Sequence, residues 1–175
     1  MPFTPFHFGP SACVSLPLKR YIDFPIFVLA NVVVDLEPLT VILFGLRYPL
    51  HGYFHTFFIG ALVGIVWGVV AYAGRGILKR LMNLFRLPYR TTLTKVLVSG
   101  ILGVWFHVLL DSLIYADIQP FYPFVFNPLY DLLSISTVYV ICTLAFIPAL
   151  ILYIIAVVLF VRNRNPKFGG GRHQP

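Results

Sequence analysis

Apolar runs of membrane-spanning length dominate this chain of 175 residues. Residues 57–73, 96–115 and 138–161 are almost free of charge, and a fourth run, 24–46, has similar length but contains two carboxylates. At about 1.5 Å per helical residue, each run can cross most or all of a hydrocarbon core about 30 Å thick. The pattern therefore predicts an all-α integral membrane protein with four transmembrane helices.

Two shorter apolar stretches have other predicted positions. Residues 6–18 end at Lys19 and Arg20. Because about 13 helical residues rise only about 20 Å, this stretch is predicted to be a short N-terminal re-entrant helix. Between the second and third spans, apolar residues recur at helical spacing among basic ones, which predicts a short interfacial helix. Its apolar residues are Ile77, Leu78, Leu81, Leu84 and Phe85.

Composition and charge indicate the surroundings and the orientation. With 59% hydrophobic and only 11% charged residues, the chain lies outside the usual range of soluble domains. Four spans place every Lys and Arg except Arg47 on one side, and the positive-inside rule puts that side in the cytoplasm. We therefore predict a multi-pass protein of the inner (plasma) membrane. It has one transmembrane domain, residues 1–161, and a basic, flexible cytoplasmic tail, residues 162–175.

The net charge of +7 bears on the partners. The basic residues lie at the ends of apolar runs, where anionic lipid headgroups are the simplest partner. Membrane lipids are therefore expected as partners and nucleic acid is not. The sequence leaves the oligomeric state open.

Two pairs of polar residues recur at helical spacing in or beside the apolar runs. His107 and Asp111 are four residues apart in the third span, and His51 and His55 repeat that spacing before the second. Residues four apart lie about 40° apart on one helix face, so both members of a pair can reach one ion. For either pair alone, a hydrogen bond between helices explains the residues equally well.

Asp35 and Glu37 pose a geometric problem, because residues two apart on a regular helix point about 200° apart. Pro38 disfavours helical geometry at Glu37, so a break there would let both carboxylates turn inward. Broken helices at membrane depth are tolerated where they line a cavity. The alternative is a simple proline kink with one carboxylate in a salt bridge.

These residues are predicted to lie at a common depth in the membrane, which groups them into one site. Counted at about 1.5 Å per residue from the basic ends of the helices, the ionisable groups within the membrane all fall in the outer half of the core. Imidazoles and carboxylates without thiolates suit one or two divalent ions, with Zn, Mn and Fe left open. The predicted metal ligands are His7, Asp35, Glu37, His51, His55, His107 and Asp111.

The motifs of this chain, in their order, resemble those of a known family. The opening Met-Pro-Phe-Thr-Pro-Phe-His7, the Asp35-x-Glu37 pair, His51-Gly-x-x-His55-Thr, and His107-x-x-x-Asp111 followed by Asp117 occur in one order over residues 1–124. They resemble the small inner-membrane metal-dependent hydrolases of the YdjM type. The resemblance implies a class of activity and no particular substrate.

The working prediction is a membrane-embedded metal-dependent hydrolase acting on a phospholipid or a lipid-linked phosphoester. A metal-activated water would be the nucleophile, and a carboxylate free of the metal, Glu37 or Asp117, would take its proton. Asp117 is equally well explained as a further ligand or a plain loop residue. The rival predictions are a metal-ion or proton transport protein and a noncatalytic membrane protein with a structural metal.

Overall fold

A computed structural model describes residues 5–164, and this part of the chain is helical with no strand. One 3-10 turn, Tyr53–His55, lies among the α-helices. The α-helices are α1 Pro5–Ser15, α2 Phe24–Val34, α3 Leu36–Phe44, α4 Phe57–Ala73, α5 Arg75–Leu84, α6 Leu93–Ser112, α7 Ile135–Leu144 and α8 Phe146–Arg164.

Three helical stretches are long and apolar enough to cross a membrane, which confirms the predicted class of membrane protein. They are Phe24–Phe44, Leu93–Ser112 and Ile135–Asn163. The pair α4 and α5, bent by 76° at Gly74, becomes a fourth only if the bent pair is counted as one span. The fourth span, the re-entrant position of α1 and the interfacial position of α5 therefore stay predictions.

The break in the first span lies at Asp35, two residues before its predicted position at Glu37. Asp35 is both the last cap of α2 and the first cap of α3. Pro38 explains the shift, because a proline ring inside a helix clashes with the carbonyl four residues earlier, here that of Val34. Within the first turn of α3, by contrast, Pro38 is tolerated because its missing N–H has no helical partner to lose.

Glycines let α4 and α6 approach each other closely. Gly60, Gly64 and Gly68 recur every four residues along α4, on the side that faces α6. A Cβ added at Gly64 would lie 2.7 Å from the backbone carbonyl of Gly100. Small residues at such spacing allow the backbone contact that holds apolar helices together in lipid, where no hydrophobic force drives them together.

The same helix α6 also packs against α2. A Cβ added at Gly103 would lie 2.6 Å from the carbonyl oxygen of Phe27. On the α4 side, Trp105 donates a hydrogen bond from Nε1 to the carbonyl of Phe57 at 2.8 Å. Helix α6 therefore lies between α2 and α4, with its C-terminal turn close to the break at Asp35.

The last apolar stretch differs from its prediction at both ends. The predicted span 138–161 is the pair α7 and α8, which begins at Ile135 and continues to Arg164. Residues 162–164, predicted to open the flexible tail, continue α8, because nothing in the sequence there breaks a helix. The rest of that predicted tail lies outside the described residues.

Replacing Gly64 tests the close contact between α4 and α6. We expect Gly64→Ala to lower the free energy of unfolding by about 1–3 kcal/mol, because the added Cβ meets backbone that cannot move aside like a side chain. Gly76→Ala on α5 is the matched control, since nothing lies within 4 Å of its Cβ position. Thermal unfolding in detergent measures both, and equal destabilisation would contradict the contact.

Candidate metal centre

Four ionisable side chains converge at the break between α2 and α3. Asp35 comes from the break, His55 from the 3-10 turn, and His107 and Asp111 from the last two turns of α6. One ligand atom from each lies within 4.8 Å of all the others, an arrangement that could hold a metal ion. His55, His107 and Asp111 are buried, so an ion bound here would be largely removed from water.

The spacing of the ligand atoms fits one ion. His107 Nε2 lies 3.3 Å from Asp35 Oδ1 and 3.3 Å from Asp111 Oδ2, while His55 Nε2 lies 4.0 Å from Asp35 Oδ1. Ligands about 2.0–2.1 Å from a tetrahedral zinc ion lie about 3.3–3.4 Å from one another. The cluster is therefore close to the size of a coordination shell. The choice among Zn, Mn and Fe stays a prediction.

Unsatisfied ring nitrogens point to the same conclusion. His55 Nε2 and both ring nitrogens of His107 are buried and have no hydrogen-bond partner within the described part of the chain. The contacts of His107 Nε2 with its two carboxylates have the distance of an ion pair but lack the direction of a hydrogen bond. Buried polar groups are normally satisfied, and an ion between the two Nε2 atoms would satisfy both of them at once.

Glu37 holds His55 in place. Its carboxylate accepts from His55 Nδ1 at 3.0 Å, from the backbone N–H groups of Gly52 and Phe54, each at 3.1 Å, and from the Tyr48 hydroxyl at 3.4 Å. A carboxylate on one ring nitrogen fixes the tautomer and leaves the other nitrogen for a metal. With both oxygens engaged, Glu37 is better placed to orient His55 than to act as the predicted metal ligand or general base.

His7 reaches the cluster from α1. Its Nε2 lies 3.0 Å from Asp111 Oδ1, and its ring stacks on that of His107 with 4.5 Å between centroids. Helix α1 therefore folds back over the end of α6. In this position His7 borders the group of four through Asp111, where it can orient that carboxylate.

His51 lies beside the cluster with a carboxylate of its own. Its Nδ1 is 2.9 and 3.0 Å from the two oxygens of Asp117. Its ring packs edge-on against His55, with 4.9 Å between centroids, and lies tilted against the ring of Tyr115, with 4.4 Å between centroids. The Asp117 side chain is 47% exposed, so the His51–Asp117 pair connects the buried cluster with the surface.

The seven predicted ligands therefore fall into two groups. Asp35, His55, His107 and Asp111 form the one group of this kind among the described residues, which supports a single ion rather than two. The remaining three predicted ligands surround that group and contact its members, His7 at Asp111 and both Glu37 and His51 at His55.

Two polar residues with notable contacts, Tyr48 and Asp23, were not predicted from the sequence. Tyr48 contacts Glu37 through a loop that no pattern connects to it. Asp23 precedes the first span by one residue and is only 2% exposed, with its N–H donating to Ser99 Oγ at 2.6 Å. Burial raises the pKa of the Asp23 carboxyl, with Thr91 and Lys95 opposing the shift. The 12 residues to Asp35 correspond to about 18 Å along the helix, so Asp23 lies outside the metal centre.

Removing a ligand should remove the metal. We expect the wild-type protein, purified without chelator, to carry about one divalent ion per chain, and His107→Ala and His55→Ala to lose it, because a remaining set of three donors binds far more weakly. Elemental analysis by mass spectrometry measures the content.

Ser112→Ala is the matched control for that measurement. Ser112 neighbours Asp111 and is fully buried, but its hydroxyl donates to the carbonyl of Val108 at 2.6 Å. The control should keep the ion. Metal retained by both histidine variants, or lost equally from the control, would count against the assigned centre.

Glu37 and Asp35 should respond differently to loss of charge. For Glu37→Gln we expect metal affinity to fall about 10–100-fold, the usual effect of a group that orients a ligand. Asp35→Asn removes a donor atom and should weaken binding further. Competition with a chromogenic chelator measures both affinities. A loss in Glu37→Gln as large as in Asp35→Asn would show that Glu37 binds the ion directly.

No protein-family model, curated protein or solved structure matches this chain. The likeness to the YdjM-type hydrolases rests on the order and spacing of the motifs and stays a prediction. What the chain itself supplies is a buried group of histidines and aspartates, sized for one cation, inside an apolar helical bundle.

Proposed function

We propose that this protein is a membrane-embedded metal-dependent hydrolase acting on a phospholipid or another lipid-linked phosphoester. The observation that carries the proposal is the converging group Asp35, His55, His107 and Asp111, in which the buried Nε2 atoms of both histidines have no hydrogen-bond partner among the described residues. A divalent ion held there supplies a Lewis acid and a water acidified toward neutral pH. The order of motifs shared with the YdjM-type hydrolases agrees with this class of reaction.

The residues around the ion position have separate tasks in this proposal. Glu37 accepts a hydrogen bond from His55 Nδ1, which would leave His55 Nε2 to hold the ion. Asp117 contacts His51 at Nδ1, which would leave His51 Nε2 to exchange a proton with a metal-activated water. This assigns proton transfer to His51, with Asp117 as its positioning residue, in place of a direct role for Glu37.

The surroundings favour a substrate that comes from the lipid. Asp117 reaches the surface at the end of the bundle where exposed aromatic side chains gather, as is typical of the membrane interface. These aromatic residues are Phe121, Tyr122, Phe124, Phe126 and Tyr130. A phosphoester at headgroup level would approach the cluster along His51 and Asp117, while its acyl chains stay beside the exposed apolar helices.

Topology belongs to the same proposal. Four spans, with the bent pair α4 and α5 counted as one, place all Lys and Arg residues except Arg47 on one side. The positive-inside rule then puts the C-terminus in the cytoplasm and the metal centre in the outer half of an inner (plasma) membrane.

Transport of a metal ion or proton is the second candidate, and one observation favours it. A buried polar pair lies one turn below the centre, where Asn31 Nδ2 donates to Ser11 Oγ at 3.0 Å. One turn further along α2, Gly103 of α6 packs closely against the backbone of Phe27. Transport would require a path past both of these contacts, whereas hydrolysis would not. A third candidate, a purely structural metal, predicts an ion without turnover.

The test is metal-dependent turnover of phospholipids in mixed micelles. Wild-type protein and Ser112→Ala should release the same product, and His107→Ala should release none because it binds no ion. We expect His51→Asn to keep the ion and to lower kcat about 10²–10⁴-fold, the usual contribution of a general base. Mass spectrometry of the lipid products and elemental analysis on one preparation separate these effects.

Two outcomes would overturn the assignment. Metal uptake into proteoliposomes by the wild-type protein, without turnover of any phosphoester, would favour transport. A stoichiometric ion with neither uptake nor turnover, together with lower thermal stability after chelation, would favour the structural metal.

A further inference from the structure

A basic groove lies at the opposite end of the bundle from the metal centre. Its volume is about 690 Å³, and it is formed where the chain enters α2 and where it enters α6. Four cationic side chains line it, namely Lys19, Arg20, Arg90 and Lys95. Thr91, Thr92 and Thr94 add hydroxyl groups to the same surface. Such a combination of cations and hydroxyl donors suits a phosphate group.

The protein does not neutralise this groove. No carboxylate is among its lining residues in the described part of the chain. Of the six acidic residues, Asp23 is the nearest. It lies in a small adjoining cavity that shares Lys19, Arg90 and Lys95 with the groove, and it is almost fully buried. One carboxylate can offset at most one of the four positive charges, so the remaining counter-charge has to come from outside the chain.

The groove lies at the level where headgroups are expected. Helices α2 and α6 both begin beside it, at Phe24 and Leu93, and both are long and apolar enough to span a membrane when α2 is joined to α3. Val98, in the second turn of α6, also lines the groove and is 41% exposed. Exposed Tyr21 provides a second apolar contact. A phosphate that carries an acyl chain would use these residues, whereas a free phosphate ion would not.

The cations are partly held in place before a ligand arrives. Lys95 Nζ donates to the carbonyl of Lys19 at 2.6 Å, which fixes its ammonium group at the groove. Thr92 Oγ1 accepts from the N–H of Lys95 as the cap of α6, and its hydroxyl proton remains available to a ligand. The beginning of α6 adds the partial positive charge of a helix N-terminus.

We propose that this groove binds the headgroup phosphate of an anionic phospholipid, with the acyl chain running along Val98. The inference is independent of the proposed hydrolase activity, because the two sites lie at opposite ends of the bundle and share no residue. The lipid would neutralise the groove and connect the starts of α2 and α6.

The test compares two variants with equal change in charge. Lys19→Gln/Arg90→Gln removes two groove cations, and Lys79→Gln/Arg80→Gln removes one lysine and one arginine from exposed positions on α5. Each purified protein is titrated with phosphatidylglycerol and with phosphatidylcholine and followed by native mass spectrometry. We expect wild type and control to bind the anionic lipid alike, and the groove variant to bind it at least about tenfold more weakly.

A charge-conserving variant and competition by inorganic phosphate distinguish the alternatives. Lys19→Arg/Arg90→Lys keeps the charge and should keep binding, which separates loss of the site from loss of the fold. Equal weakening in the control would indicate general surface attraction and overturn the proposal, as would equal affinity for phosphatidylcholine. Inorganic phosphate that displaces the lipid at equal concentration would show a site for a free anion instead.

Discussion

Burying ionisable groups inside an apolar bundle is the constraint on which the rest of this structure depends. An isolated charge in a low-dielectric interior is so costly that it needs an opposite partner or a metal. Here the aspartates lie beside histidines at the break in the first span, with His107 between Asp35 and Asp111. The same carboxylates would repel one another if the helices moved together without a cation between them.

Close helix packing makes this arrangement possible. The glycines of α4 and α6 bring two backbones into contact, and Gly103 brings α2 against the other side of α6. Each contact fixes how far one helix is shifted along its axis relative to its neighbour. It therefore fixes the heights of His55 and Asp35 in the bundle relative to His107. Because the glycine contacts lie one or more turns below the centre, the packing sets the geometry of the centre without supplying a ligand.

Much of the fold and part of the site could be predicted from the sequence. Hydropathy and spacing predicted the apolar helices, and common depth brought His107, His55 and Asp35 together. The position of the break could not be predicted as well, because the effect of Pro38 falls on a carbonyl four residues earlier. The contacts of Glu37 depend on the fold of the loop that carries Tyr48 and Gly52. A loop has no repeating hydrophobic pattern from which its geometry could be predicted. The burial of Asp23 was not predicted, because burial of a residue at the edge of a span depends on its neighbours in space.

The end of α6 at Ser112 has an electrostatic consequence. A helix that stops leaves its last carbonyls without helical partners, and they carry a partial negative charge. The last two turns of α6 carry His107 and Asp111, so the negative end of this helix adds its potential to that of the aspartates. The site therefore favours a cation before any ligand arrives. An anionic ligand would meet repulsion until that cation is bound, so this potential favours binding of the metal first.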